Sequence, residues 1–346
     1  MGLSPTLIWS WPNKPFQGFS RGPRTGKNLD GSLGAFHMMG KNGKSPASKR
    51  GFLLLGLLTL TWGLGWPIMK VALGEMPPWN FRSLCLMGGG LIILGLAKGK
   101  GESLKIPRRE LTALLVVAAV NVTGWNLFSA YGILLLEAGR AAILAYTMPL
   151  WASLLGRVLL GERFTPGRIC GLGLGLLGLA LLMGPQTTAL GKAPVGSLLM
   201  LGAAFSWALG TVLIKRRSWS IPTTVFAGWQ LLLGGLPVLL GTLLLEPPFW
   251  KLEISLKAYM AVAYVVIVGV VLGYWGWLKV VEIFPVAVAS LGTLVVPAIG
   301  VISGGLLLGE PLGWRELGAL GLVSLGLAGV VASPMKPEKG AAQRDA

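Results

Sequence analysis

The 346 residues of this chain are 53% hydrophobic and only 12% charged, with a mean hydropathy of +0.69. A soluble domain carries about 25% charged residues, so this composition excludes a soluble globular protein. The net charge of +17 does not indicate nucleic-acid binding, because the Lys and Arg residues cluster in short loops and tails without an interleaved aromatic patch.

Ten apolar runs follow one another along the chain, and each approaches the roughly 20 residues that a helix needs to cross a bilayer. Residues 1–50 precede them and are basic and rich in Gly, Pro and Ser. We expect this segment to be a disordered tail or a targeting segment, or to precede a true start at Met38 or Met39. The predicted spans are 51–73, 78–97, 111–136, 139–160, 166–184, 195–214, 223–245, 258–278, 285–309 and 312–333. The sequence therefore predicts an all-α integral membrane protein with ten transmembrane helices and a C-terminal tail at 334–346.

The distribution of basic residues predicts how these helices are oriented in the membrane. If both termini are cytoplasmic, 23 of the 30 Lys and Arg residues fall on the cytoplasmic side. Cytoplasmic loops are enriched in Lys and Arg, so the sequence predicts cytoplasmic termini, and we expect the protein in the inner (plasma) membrane of a bacterium.

The two halves of the chain repeat each other. WGLGWPIMK (62–70) aligns with WALGTVLIK (207–215), and MPLWASLLGRVLLGE (148–162) aligns with VPAIGVISGGLLLGE (296–310). The halves, 51–184 and 195–333, each hold five predicted spans. Because five is odd, the second half enters from the opposite face, which makes the halves inverted repeats. Inverted repeats around a midplane site are characteristic of secondary transporters.

The segment AGRAAILAYTMPLWASLLGRVLLGERFTPGRICGLGLGLLGLAL (138–181) resembles the EamA domain of the drug/metabolite transporter superfamily, and 286–330 resembles it more loosely. The resemblance covers about residues 51–333. It implies ten helices in two EamA domains, cytoplasmic termini, and the export or exchange of small metabolites, often amino acids and their derivatives.

Polar and aromatic side chains inside the predicted spans are the candidate substrate-binding residues, because in lipid such groups face protein or a cavity. Asn121 and Trp125, for example, share one face of the third helix at i, i+4. The candidate set is Trp62, Asn121, Trp125, Tyr146, Trp207, Gln230, Trp275, Ser290 and Thr293. For a single member, aromatic packing or an interhelical hydrogen bond is the alternative. As a set, we expect them to line an amphipathic cavity between the repeats.

Pro149 and Pro297 occupy matching places in the two halves. A proline within a helix removes a backbone donor and clashes with the carbonyl one turn earlier, so each should bend its helix or free a carbonyl. The bend is either static or a flexible joint at the cavity. Arg140, at the predicted outer start of the fourth helix, is a gating candidate for a substrate carboxylate, unless Glu137 neutralises it.

Glu162 and Glu310 end the matched motifs, and we interpret them as structural helix-end markers, with Glu162 inside and Glu310 outside. Lys70 and Lys215 are expected to be snorkelling anchors. Gly173, Gly175 and Gly178 spell the dinucleotide fingerprint G-x-G-x-x-G, but within a continuous apolar helix that pattern favours close helix packing.

The sequence places no ionisable acid or histidine in the middle of a span. All 13 Asp and Glu residues lie in tails, loops or near helix ends, and the one histidine, His37, lies in the N-terminal tail. Proton-coupled carriers commonly hold such a group in the membrane, so we expect a facilitator or an exchanger. Motifs for metal binding, nucleophilic catalysis or phosphate binding are missing from the sequence, and we expect no enzyme activity, no cofactor and no metal.

The sequence therefore predicts a transporter of small metabolites, amino acids or related amphipathic compounds, that works by alternating access in the lipid bilayer. Two alternatives stay open. A membrane-embedded enzyme would cluster polar catalytic groups in one loop. A translocator of lipid-linked or nucleotide sugars would need several convergent basic groups in the cavity.

Overall fold

The computed structural model describes residues 46–160, 165–183, 192–283 and 295–332, and within these ranges every regular element is a helix. We number the helices along the chain. Their bounds are α1 Pro46–Glu75, α2 Pro78–Gly99, α3 Arg108–Leu135, α4 Ala138–Leu160, α5 Pro166–Met183, α6 Lys192–Lys215, α7 Thr223–Leu245, α8 Leu256 to Ile283, α9 Val296–Leu308 and α10 Trp314–Ala332. Among the predicted residues, Glu162, Ser290 and Thr293 lie outside the described ranges, as do both predicted tails apart from 46–50.

Seven of these helices, α1 to α4 and α6 to α8, are long and apolar enough to cross a membrane. The remaining described helices are shorter, and α5 and α9 hold apolar stretches of 10–17 residues. The all-helical membrane fold is thus confirmed, whereas the number of ten spans stays a prediction.

The first helix begins earlier than the sequence predicts. We expected 1–50 to be a tail, but α1 starts at Pro46. Proline is well tolerated in the first turn of a helix, where its missing N–H has no intrahelical partner, and residues 47–50 contain no helix breaker.

Both α3 and α8 contain a π-helical segment, Ala118–Gly124 in α3 and Val265–Leu272 in α8. Such segments widen the helix and disturb its regular ladder of backbone hydrogen bonds. In each segment a side chain from the first helix of the other half donates to a backbone carbonyl. Ser206 Oγ in α6 donates to Val120 O at 2.5 Å, and Trp62 Nε1 in α1 donates to Gly269 O at 3.3 Å.

Glycines bring the second helix of each half against the π-helical segment of the other half. A Cβ atom at Gly89 in α2 would lie 2.6 Å from Val270 in α8, and one at Gly234 in α7 would lie 2.6 Å from Val122 in α3. Both distances are too short for a real Cβ contact. The α2–α8 and α3–α7 contacts are therefore equivalent.

A glutamate–serine pair ties helix ends together at each end of the bundle. Ser220 donates through its N–H and Oγ to Glu110, with 2.6 Å between the Oγ and Oε1 atoms. Ser255 donates in the same way to Glu75, at 2.7 and 2.8 Å. Positions 75 and 220, and positions 110 and 255, are related by the 145-residue offset that relates WGLGWPIMK to WALGTVLIK. The acid and the serine have thus exchanged places between the halves.

The helices α5 and α10 pack through glycine. A Cβ atom at Gly326 would lie 2.6 Å from the carbonyl oxygen of Gly171 and 2.7 Å from the backbone nitrogen of Gly175. Gly175 and Gly178 of the G-x-G-x-x-G pattern also lie against neighbouring helices, as close helix packing predicts, whereas none of the described atoms lies within 4 Å of a Cβ added at Gly173.

Candidate substrate cavity

A cavity of about 240 Å³ lies at the centre of the bundle, between helices of both halves. Its walls come mainly from α1, α3 and α8, with contributions from α2, α4, α6 and α7. Most of the wall is apolar, and its aromatic side chains are Trp62, Trp66, Trp125, Tyr146, Trp207, Tyr264 and Tyr274. The polar wall consists of Thr61, Arg82, Asn121 and Asn126.

The structure brings five of the nine candidate residues together in this wall: Trp62, Asn121, Trp125, Tyr146 and Trp207. Gln230 lies behind it, buried against Asn121. Trp275 is placed elsewhere, with 46% of its surface exposed. Successive residues of a helix point in different directions, and in α8 the neighbouring Tyr274 is the one that faces the cavity.

The amide of Asn121 is held by protein on both sides. Gln230 Nε2 donates to its Oδ1 at 2.9 Å, and its own Nδ2 donates to the backbone carbonyl of Trp207 at 3.0 Å. Asn121 therefore ties α3 to α6 and α7, and these two bonds occupy its acceptor and one N–H.

Contacts between the two halves hold several aromatic side chains of the wall in place. The rings of Trp125 and Trp207 lie edge to face, with centroids 5.1 Å apart and planes at 61°. Tyr264 donates its hydroxyl to the backbone carbonyl of Thr61 at 2.8 Å. The apolar ring surfaces are thus positioned before any ligand arrives.

Helix α4 is interrupted next to the cavity. Its two helical segments, Ala138–Ala145 and Met148–Leu160, are separated by a turn at Tyr146 and Thr147. Pro149 follows directly, as the second residue of the second segment, and Tyr146 and Met148 beside the interruption both line the cavity. In α9 Pro297 likewise occupies the second position of the described helix.

A charged cluster surrounds the start of α4. Glu310, just beyond the end of α9, accepts the backbone N–H of Ala138 at 2.7 Å and that of Gly139 at 3.3 Å. Its Oε1 also lies 2.7 Å from Lys70 Nζ. The prediction that Lys70 is a snorkelling anchor was therefore wrong, because the lysine ends on a carboxylate of the other half.

Arg140 and Glu137 belong to the same region. Arg140 is buried, with 7% of its surface exposed, and it lies outside the cavity wall. Burial raises the pKa of the half-buried Glu137, and the carboxylates of Glu310 and Glu316 raise it further against the opposing influence of Arg140.

Arg82 is a cavity residue that was not among the predicted site residues, and it was counted only as one of the seven Lys and Arg residues on the non-cytoplasmic side. It lies in α2, is 5% exposed and lines the cavity. Two signals in the sequence mark it. It falls inside a predicted span, and the repeat offset aligns it with Ala227, so the charge is present in one half only.

These features define a multi-pass helical membrane protein with a central aromatic cavity built from two matched halves. The chain belongs to the EamA-like transporter family, which matches residues 49–184 and 194–332. It is therefore a membrane transporter of the drug/metabolite transporter superfamily.

Curated relatives cover most of the chain. A "probable amino-acid metabolite efflux pump" of Salmonella typhimurium is 29% identical over 287 residues, covering 81% of this chain and 93% of the relative. The uncharacterized transporter YvbV of Bacillus subtilis is 26% identical over 301 residues, covering 86% and 97%. A solved crystal structure has a TM-score of 0.58 at 23% identity, covers 81% of this chain and 96% of its own, and shows the shared fold.

Proposed function

We propose that this protein transports small amphipathic metabolites, amino acids or related compounds, by alternating access between two inverted halves. The observation that carries the proposal is the central cavity, whose wall is mostly apolar and rich in aromatic side chains, with a few polar groups. Ligand sites commonly combine an apolar wall with a small number of placed polar groups.

The size of the cavity supports a small substrate. Its volume of about 240 Å³ is below the roughly 300–1,000 Å³ of sites that hold drug-sized ligands. A nucleotide sugar or a lipid-linked sugar is larger than such ligands, and its phosphates would need several basic groups. Arg82 is the one basic residue in the described cavity wall. Amino-acid-sized compounds fit this combination best, in agreement with the name of the Salmonella relative.

The equivalent contacts of the two halves support alternating access. In inverted repeats, the two halves can exchange conformations around a fixed central site, which then opens to either face. The α2–α8 and α3–α7 contacts, and the exchanged glutamate–serine pairs, are such equivalent contacts. The interrupted helix at Pro149 supplies a joint where α4 can bend beside the cavity.

The proposal places both termini in the cytoplasm and the protein in a bacterial inner membrane, and it assigns the chain no enzymatic step and no cofactor. We also propose that the protein works as a facilitator or an exchanger. Uptake that required an imposed proton gradient, and failed without one, would contradict this last part.

Transport by purified protein in proteoliposomes tests the proposal. A panel of labelled amino acids and their derivatives is offered to wild type and to the variants Trp125→Ala and Tyr146→Ala, with Trp275→Ala as the matched aromatic control. We expect uptake of at least one compound by wild type and the control, and a loss of about tenfold or more in the two cavity variants, because each removes a large apolar contact. Equal uptake by all four proteins would show that the substrate binds elsewhere.

A further inference from the structure

Arg82 is a buried cation within a membrane-spanning helix. It sits one turn into α2, is 5% exposed, and lines the aromatic cavity. Charged groups inside a membrane are costly, and they usually pair with one another or serve transport.

The contacts of Arg82 leave most of its donors unused. Its Nη2 donates to Ser129 Oγ at 2.8 Å, and its Nε is buried without a hydrogen-bond partner. The guanidinium carbon lies 5.1 Å from the ring centre of Phe81. A guanidinium group has five N–H donors, so a single neutral acceptor satisfies it only in small part.

No carboxylate neutralises Arg82 within the part of the chain that the structure describes. The ion pairs of described residues, such as Lys70 with Glu310 and Arg109 with Glu110, do not involve Arg82. A buried cation of this kind needs an anion, and the cavity is where one can enter.

We propose that Arg82 is the anion-binding residue of the cavity and holds the carboxylate of the transported compound. This inference rests on the proposed function and specifies it. Arginine binds carboxylates through two parallel N–H···O bonds, while the surrounding tryptophans and tyrosines accept the apolar part of the compound. Because the equivalent position in the second half is Ala227, the described cavity wall holds one such site, and a carboxylate bound there fixes the orientation of the compound.

The inference is tested with a matched pair of probes, 3-phenylpropanoate and 3-phenylpropanamide, which differ in the charge of one group. Binding to the purified full-length protein in nanodiscs is followed by tryptophan fluorescence, since Trp62, Trp125 and Trp207 line the cavity. We expect the carboxylate to bind about tenfold or more tightly than the amide, because it neutralises the buried guanidinium and offers two acceptor oxygens, whereas the amide is neutral and offers one.

Variants then assign this preference to one residue. Arg82→Gln should lower the carboxylate affinity to that of the amide, and Arg82→Lys should retain only part of the preference, because lysine lacks the bidentate geometry. Ser129→Ala removes the protein partner of the guanidinium but should keep the preference. Arg109→Gln, whose arginine side chain is 75% exposed, is the control and should behave as wild type.

Equal binding of the two probes to wild type, or no binding of either, overturns the inference, as does an unchanged preference in Arg82→Gln. If that variant does not fold, Arg82→Lys and the wild-type comparison decide the matter. Transport without any acid–amide preference would reject the role of Arg82 and leave the transporter intact. Carboxylate binding without transport of any compound would reject the proposed function and leave the anion site.

Discussion

Lys70 of α1 forms an ion pair with Glu310, which follows α9 in the other half of the chain, and 2.7 Å separate Nζ from Oε1. The same carboxylate accepts the N–H groups of Ala138 and Gly139 at the start of α4. One acid therefore binds three helices at the end of the bundle where α4 begins. Any motion that opens this end between α1 and α9 has to break the ion pair.

Replacing Glu310 tests this joint. We expect Glu310→Ala to lower the free energy of unfolding by about 1–3 kcal/mol, because it removes both a helix cap and a partly buried charge partner. A double-mutant cycle with Lys70→Met should give a coupling energy of about 0.5 kcal/mol or more. Thermal unfolding in mixed micelles measures both quantities. Glu253→Gln, at an exposed acid, serves as the control, and additive effects of the two substitutions would show that the ion pair contributes nothing.

The exchanged glutamate–serine pairs should differ in strength. The Glu110 side chain is 2% exposed, whereas Glu75 is exposed, and hydrogen bonds are weaker in water than inside a protein. We expect Ser220→Ala to cost about 1–3 kcal/mol, since it leaves a buried carboxylate short of a donor. Ser255→Ala should cost less, and its cost should come mainly from the N-cap of α8, where Ser255 Oγ accepts the N–H of Ala258 at 3.2 Å. Melting temperatures of the two single variants provide the comparison, and equal shifts would be inconsistent with this ranking.

Gly326 and Gly173 offer a matched test of packing between α5 and α10. A methyl group at Gly326 would meet the backbone of Gly171 and Gly175, whereas none of the described atoms lies within 4 Å of one added at Gly173. Gly326→Ala should therefore force the helices apart and lower stability by about 1–3 kcal/mol, while Gly173→Ala should be neutral. Thermal unfolding of both variants measures the difference. A tolerated alanine at 326 would mean that α10 can shift without loss.

Glu137 should make stability depend on pH. Its pKa is raised in the folded protein, mainly by burial and then by Glu310 and Glu316, so the protonated form is favoured by folding. Stability is therefore greatest below the unfolded pKa of about 4.3 and falls as the pH rises through the folded pKa. Glu137→Gln removes this loss. We expect it to raise the melting temperature at pH 7 and to have little effect at pH 4.

Melting curves of wild type and Glu137→Gln across pH 4–8 test this dependence. Glu253→Gln, at an exposed position, is the matched control and should follow wild type at every pH. A melting temperature of Glu137→Gln below that of wild type at pH 7 would contradict the direction of the shift.

The candidate site shows how far sequence reasoning reaches. Trp62 and Trp207 were found through the repeat, and Asn121, Trp125 and Tyr146 because they are polar or aromatic within apolar helices. The same reasoning also placed Trp275 in the cavity wall. An aromatic residue suits such a wall, but the side chain of Trp275 does not point into the cavity. Periodicity shows which residues share a face, but only the packing of neighbouring helices shows where that face points.

Long-range contacts could not be predicted from the sequence, for a related reason. Glu310 was expected to mark the end of its own helix, and Lys70 to extend towards the membrane surface. Their contact joins positions 240 residues apart, and no local pattern encodes such a pairing. The π-helical segments of α3 and α8 were not predicted either, because their sequences are as apolar as those of regular helices.

The sequence by itself determined that this chain is a multi-pass helical membrane protein with a repeated half, because hydropathy and internal similarity are properties of the chain alone. Only the tertiary structure decided which side chains enclose the cavity, which acid holds Lys70, and that Arg82 stays without a carboxylate partner in the described part of the chain. Those outcomes depend on how helices distant in sequence face one another. Burial, ion pairing and hydrogen bonding are decided only once those helices pack together.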